Sequence, residues 1–250
     1  MDILLIKVLL INLLATLVRS TFGFGEALVA VPLLGLLLPL NIAVPLSVLL
    51  SVAIALLVVI QDHRKIDVGS AKGLVLAAII GVPLGLLILI YGNEKLIKMF
   101  LGLVLIIYSI WGMINKSAIS NELKNDKKWL WVCGIISGVL GGAYGINGPP
   151  LVIYGQLKGW SPKEFRATLQ GYFLPVSLIT VVGYFFKDLI TSEVIGYFLK
   201  SIPVMIPGIY LGRWLNHRIK IDRFFFYVHI GLVAIGIIAI FDAILSINDS

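Results

Sequence analysis

Gly141-Gly142-Ala143-Tyr144-Gly145-Ile146-Asn147-Gly148-Pro149-Pro150 interrupts an uncharged, apolar stretch that runs from Trp129 to Leu157. About 13 residues precede the interruption and under about 10 follow it, and at about 1.5 Å per helical residue neither piece reaches across a hydrocarbon core of about 30 Å. The segment therefore either completes one crossing as two pieces or turns back as a re-entrant hairpin. Sidedness of charge decides between them, because Lys and Arg concentrate in cytoplasmic loops. Basic residues cluster in four loops: Arg64, Lys65 and Lys72; Lys116, Lys124, Lys127 and Lys128; Lys158, Lys163 and Arg166; Arg213, Arg218, Lys220 and Arg223. A hairpin puts all 14 on one side against three on the other (Lys95, Lys98 and Lys187), with Lys7, Arg19 and Lys200 inside apolar segments. A crossing gives eight against nine, so the hairpin is preferred.

The solvent follows from composition. Of 250 residues 59% are hydrophobic and 13% charged, with 25 Gly and 10 Pro and a mean hydropathy of +1.03, whereas soluble domains carry about 25% charged residues. Continuous apolar runs, not alternating strands, select helices over a barrel. Cys133 alone excludes an intramolecular disulfide. The net charge of +7 reads as sidedness, not nucleic-acid binding. Asp2 in place of a basic start argues against a secretory signal peptide.

A second awkward stretch, Ala27 to Gln61, has 35 residues and is divided by Pro39-Leu40-Asn41. Ile42 to Ile60 spans about 28 Å as a helix, whereas Ala27 to Leu38 reaches only about 18 Å and is a half-helix. The two broken regions match: Phe22-Gly23-Phe24-Gly25 lies against Tyr144-Gly145-Ile146-Asn147-Gly148, and Gly81-Val82-Pro83-Leu84-Gly85 against Gly208-Ile209-Tyr210-Leu211-Gly212. The expected fold is an all-α polytopic membrane protein of two inverted repeats, residues 1–114 and 129–250, joined by a basic cytoplasmic linker, 115–128. Each repeat is a Gly-broken, re-entrant helical hairpin followed by three transmembrane helices. For the first hairpin the assignment rests on symmetry, since charge does not decide it and Lys7 opposes it.

Interrupted segments at matching positions of inverted halves point to a transporter site at the bilayer midplane. In the second break Asn147 is expected as an N-cap with Pro149 or Pro150 at the first helical position. The free amides and positive dipole end would then face a cavity and favour an anion, with Gly145 and Gly148 allowing close backbone approach. The plainer reading is that these glycines only kink and pack a helix. Ser20, Thr21, Gly23 and Gly25 offer the same role in the first break. Arg19 is read either as part of the anion site or as a partner of Glu26, and Glu26 either as a proton acceptor or as that ion-pair partner. Arg166, followed by Thr168 and Gln170, either draws anions inward or is an ordinary interfacial arginine. Lys200, beside a helix expected to kink at Pro203 and Pro207, either lines the pathway or snorkels. Tyr144 and Tyr154 offer hydroxyls or simply pack. The Gly81/Gly85 and Gly208/Gly212 pairs read as close helix contacts.

Thr21-Phe22-Gly23-Phe24-Gly25-Glu26 with Pro32 following, the Gly141-to-Pro150 break continued by Leu151-Val152-Ile153-Tyr154, and Phe165-Arg166-Ala167-Thr168 resemble the TauE/SafE sulfite exporter family of membrane anion transporters over nearly the whole chain. The resemblance implies movement of sulfite, an organosulfonate such as sulfoacetate, or a related oxyanion. Other members often carry a third glycine where this chain has Glu26. Enzyme readings are weak: Gly23-Phe24-Gly25-Glu26 has Glu where intramembrane aspartyl proteases have Asp, and there is no second intramembrane Asp. His63, His217 and His229 lack metal-ligand spacing, and Gly145-Ile146-Asn147-Gly148 lacks the Lys-Ser/Thr of a P-loop. The expectation is a multi-pass cell-membrane secondary transporter of a small anion, with basic loops cytoplasmic and a proton or sodium as coupling ion. No cofactor, metal or nucleic acid is implied, and a passive anion channel is the alternative.

Overall fold

The computed structural model describes residues 3–62, 66–114, 127–160 and 162–216, together with residues 230, 233, 234, 236, 237, 240, 241, 243 and 244 of the last apolar stretch. His63, Arg64, Lys65, Lys116, Lys124, His217, Arg218, Lys220, Arg223 and His229 lie outside the described residues. The elements in chain order are α1 (Ile3–Phe22), α2 (Glu26–Leu34), α3 (Leu40–Asp62), α4 (Val68–Tyr91), α5 (Glu94–Ile114), α6 (Lys127–Tyr144), α7 (Gly148–Lys158), α8 (Pro162–Phe185) and α9 (Ser192–Asn216). No strand occurs among the described residues, and those after α9 are also helical. Among the described residues five helices are long and apolar enough to cross a membrane: Ile3–Phe22, Leu40–Ile60, Val68–Tyr91, Ala167–Phe185 and Ser192–Leu215.

Chain chemistry sets the ends. α2 stops at Gly35, whose N–H donates to the Val31 carbonyl at 2.8 Å. α3 starts from Pro39, whose carbonyl accepts from the amides of Ile42 and Ala43 at 3.0 Å each. Asp67 caps α4 through its carboxylate, which accepts from the Ser70 amide at 3.1 Å. α6 is longer than the sequence suggests. It begins among the linker lysines and keeps Gly141 and Gly142 helical, giving 18 residues.

Those glycines stay helical because they are pressed against α4. A Cβ on Gly142 would stand 2.3 Å from the Val82 carbonyl oxygen, and one on Gly85 would stand 2.1 Å from that of Val139. Gly81 and Gly138 meet in the same seam. Without side chains the two backbones approach closely, as membrane helices do where small residues line the contact. α9 packs on α1 in the same manner, with Gly208 against Leu13 and Thr16, and Gly212 against Leu17 and Ser20. The expected close contacts at both glycine pairs are therefore present. α3 and α8 pack together, and α4 also packs on α8 as α3 does on α9. Outward-facing Leu76, Ile79, Ile80, Leu84 and Leu87 of α4, with Leu199, Ile206 and Leu211 of α9, are exposed large apolar side chains, as a lipid-facing surface requires.

Candidate functional site

Both helical breaks are built the same way. α1 ends when Gly23 takes a left-handed φ of 84° and its N–H donates to the Arg19 carbonyl at 2.6 Å. α6 ends when Gly145 takes a φ of 69° and its N–H donates to the Gly141 carbonyl at 2.9 Å. This is the left-handed C-terminal cap in which the first residue past the helix closes a five-residue loop, and it suits glycine because no Cβ clashes there. Gly25, with a φ of 96°, then turns the chain into α2.

The turn brings together Arg19, in the last turn of α1, and Glu26, the first residue of α2. Arg19 Nη1 lies 3.1 Å from Glu26 Oε2, with the two residues 4% and 1% exposed. Each charge also complements its helix end: the cation sits at a C-terminus and the carboxylate at an N-terminus. The pair is held on all sides. Arg19 Nη1 also donates to Ser51 Oγ, and Nη2 donates to Gln170 Oε1 at 3.0 Å. Ser47 Oγ donates to Glu26 Oε1 at 2.6 Å, and Gln170 Nε2 donates to the Gly23 carbonyl. The Ser51 and Ser177 hydroxyls are 3.3 Å apart. The guanidinium lies over the Phe173 ring, 4.9 Å from its centroid, within cation–π range. Arg19 Nε has no hydrogen-bond partner among the described residues.

The second break faces this pair across a small cavity. Its lining is Arg19, Glu26 and Ser51, the Phe24 and Phe173 rings, and chain from Gly25 to Leu28 and from Gly145 to Gly148. At about 20 Å³ it has room for about one water. The carbonyl of Asn147 accepts from Ser137 Oγ at 2.7 Å, and that hydroxyl accepts from Tyr172 OH at 2.8 Å, pinning the break to α6 and α8.

Of the residues singled out from the sequence, Arg19, Gly25, Glu26, Gly145, Asn147 and Gly148 line the cavity. Gly23 and Gln170 support it through the hydrogen bonds above. Ser20 instead packs against Gly212, and Thr21 donates back to the Leu17 carbonyl at 2.7 Å. Tyr144 is buried and stacks on Phe100, and Tyr154 pairs edge-on with Trp160. Lys200 is on the exposed face of α9, which suits snorkelling. Arg166 lies on α8. Asn147 stands before the first residue of α7, but its Oδ1 takes no hydrogen bond from the described residues and lies against Gly141, where a Cβ would come within 2.0 Å of it. It is therefore not a side-chain cap. Pro149 and Pro150 further limit the first-turn N–H donors of α7 to Gly148 and Leu151.

Ser47, Ser51, Phe173 and Ser177 were not legible as site residues, although a signal existed. Ser47 and Ser51 are four apart on α3, and Gln170, Phe173 and Ser177 follow at three and four on α8, so each set shares one helix face within an apolar span. A separate polar contact lies at the start of α4. The Asp67 N–H donates to Thr168 Oγ1 at 2.9 Å, and Trp160 Nε1 donates to Asp67 Oδ2 at 3.1 Å. Partial burial pushes the Asp67 carboxyl up, but hydrogen bonds from Ser70 and Trp160 and the charge of Lys158 outweigh it and hold the group below the usual aspartate range.

The family model described as sulfite exporter TauE/SafE matches residues 8–239, which include both breaks and every residue of the cavity. The chain belongs to the TauE/SafE sulfite exporter family. A similar curated protein is the probable sulfite/organosulfonate exporter TauE of Cupriavidus necator, 22% identical over 153 residues. That match covers 60% of this chain and 59% of the relative's length. No solved structure matches the chain. Membership and the long apolar helices together make this a membrane protein.

Proposed function

We propose that this protein is a secondary transporter that moves a small oxyanion or organosulfonate, sulfite among them, through the cavity between the two glycine breaks. The observation that carries the reading is that cavity: a guanidinium from one break faces the bare backbone and α7 N-terminus of the other. Both are anion-favouring features. Its small volume, with room for about one water, favours a transporter that rearranges to admit its substrate over a continuous open channel.

The mechanism we infer needs two inverted halves, each a hairpin followed by three transmembrane helices, and the packing supports it. Aligning Gly23 with Gly145 places Asn12, Thr16 and Ser20 opposite Gly134, Gly138 and Gly142. Thr16 and Ser20 meet Gly208 and Gly212, just as Gly138 and Gly142 meet Gly81 and Gly85. Each half thus lends its fourth helix to the other half's first. Gly102 of α5 meets Gly236 of the last helical stretch, and Pro45-Leu46-Ser47 of α3 parallels Pro175-Val176-Ser177 of α8. α1 packs on α2, and α6 on α7, as hairpin arms would.

With the basic loops cytoplasmic, cysteines introduced at Lys65, Asp126, Gly159 and Lys220 in a Cys133→Ala background should all react with an impermeant reagent only from the cytoplasmic side. Labelling of the last two from outside would remove the inverted arrangement. For the activity, proteoliposomes preloaded with unlabelled sulfite should show transient uphill entry of labelled sulfite. Simple equilibration at a rate that never saturates would mean a channel instead.

A further inference from the structure

The two sides of the cavity are electrically unequal. In the alignment of Gly23 with Gly145, Arg19 falls opposite Gly141 and Glu26 opposite Gly148. The first break therefore carries an ion pair where the second carries bare backbone. The N-terminus of α2 already has a carboxylate tethered to it, whereas that of α7 begins with a residue lacking a side chain. The carboxylate shares Arg19 Nη1 with Ser51, and the Nε–H of the same guanidinium, in a residue 4% exposed, is left without an acceptor among the described residues.

With the pair intact the cavity is neutral. Admitting a monoanion then leaves one uncompensated negative charge in a medium of low dielectric, where such a charge is strongly disfavoured. The anion must also compete with Glu26 for the guanidinium. A proton added to a Glu26 carboxylate oxygen removes both obstacles. The resulting O–H is neutral, Arg19 is released to offer Nε–H and Nη–H to the anion, and the total charge returns to zero. Arg19 of α1 is the only other titratable side chain lining the cavity among the described residues. α3 presents Ser47 to Glu26 and Ser51 to Arg19, and α8 adds Gln170 and Phe173 at Arg19 and Ser177 at Ser51, none of them titratable. α5, which also packs on α2, places no titratable group in the cavity lining.

Resting on the anion-transporter reading above, we propose that the Arg19–Glu26 pair couples transport to protons, with one proton bound at Glu26 for each monoanion bound at Arg19. Linkage makes this reciprocal: the anion tightens the proton by the same factor as the proton tightens the anion. The two ligands cross together without net charge, so a pH gradient accumulates the anion on the alkaline side.

The test uses full-length protein in proteoliposomes with the membrane potential clamped by potassium and valinomycin. Labelled methanesulfonate is the probe, because it stays fully ionised and cannot itself carry the proton. Each methanesulfonate entering should acidify the lumen by one proton, and its apparent Kd should weaken by about tenfold per pH unit once Glu26 is ionised in the free protein. Glu26→Gln, which keeps the side chain neutral, should bind methanesulfonate with an affinity that no longer varies with pH. Methanesulfonate flux with no proton signal in the wild type, or a wild-type pH slope retained in Glu26→Gln, overturns the coupling while leaving the transporter intact. Absence of saturable flux of both sulfite and methanesulfonate at every pH removes the transporter reading and the coupling with it.

Discussion

Arg19→Ala should lower the unfolding temperature of the purified protein by roughly 6–20 °C. Deleting one partner of a buried ion pair leaves the other charge uncompensated, at about 3–5 kcal/mol, and in a chain of this size each kcal/mol moves Tm by about 2–4 °C. The environment makes the upper part of that range reasonable. Glu26 is 1% exposed, and after the change only Ser47 of its observed partners remains. Gln170 and Ser51 also lose their donor from the guanidinium. Replacing both charges by methionine should recover most of the loss, since a buried pair and an apolar pair of similar volume are often close in energy. Thermal unfolding of wild type, single and double variants decides the matter. An Arg19→Ala Tm within about 2 °C of wild type would mean that the pair contributes nothing to folding.

The two cavity glycines should respond differently to valine. At Gly148 the backbone is helical, and an added Cβ would meet only Phe24, at 3.3 Å, so the protein should fold while the new side chain occupies the cavity wall. Steric loss at such a contact is worth about 1–3 kcal/mol, and we expect sulfite flux to fall roughly 10–200-fold with Tm little changed. At Gly145 the left-handed φ of 69° costs a residue with a Cβ about 1–2 kcal/mol, and the Cβ would also press on Val48 at 3.1 Å. Gly145→Val should therefore lose stability together with flux. Flux measured beside Tm separates the two effects. Wild-type flux in folded Gly148→Val would place the anion path elsewhere.

The sequence by itself determined the solvent, the helical class and the two breaks, because these depend on local chemistry. An apolar run long enough to cross hydrocarbon is a property of consecutive residues, and a glycine forced to positive φ sits where its chain segment ends a helix. Glu26 and Arg19 could be paired on paper because seven residues and one turn separate them. What the sequence left open was where each polar side chain points. Ser20 and Thr21 belong to the same short motif as Gly25, yet one is absorbed in the α1–α9 seam and the other in its own helix, while Gly25 lines the cavity. A helix presents a new face every residue, so adjacent positions meet different neighbours and only packing selects among them. Ser51, Gln170 and Phe173 reach Arg19 from 32 to 154 positions away in the chain, while Ser47 reaches Glu26 and Ser177 reaches Ser51, through the packing of α3 and α8 around the pair. Asn147, a natural cap by residue type, is turned instead toward Gly141 by the space that a missing Cβ leaves there. Tertiary structure decided these cases because each depends on the volume and hydrogen-bonding groups of a helix distant in sequence, which no local pattern contains.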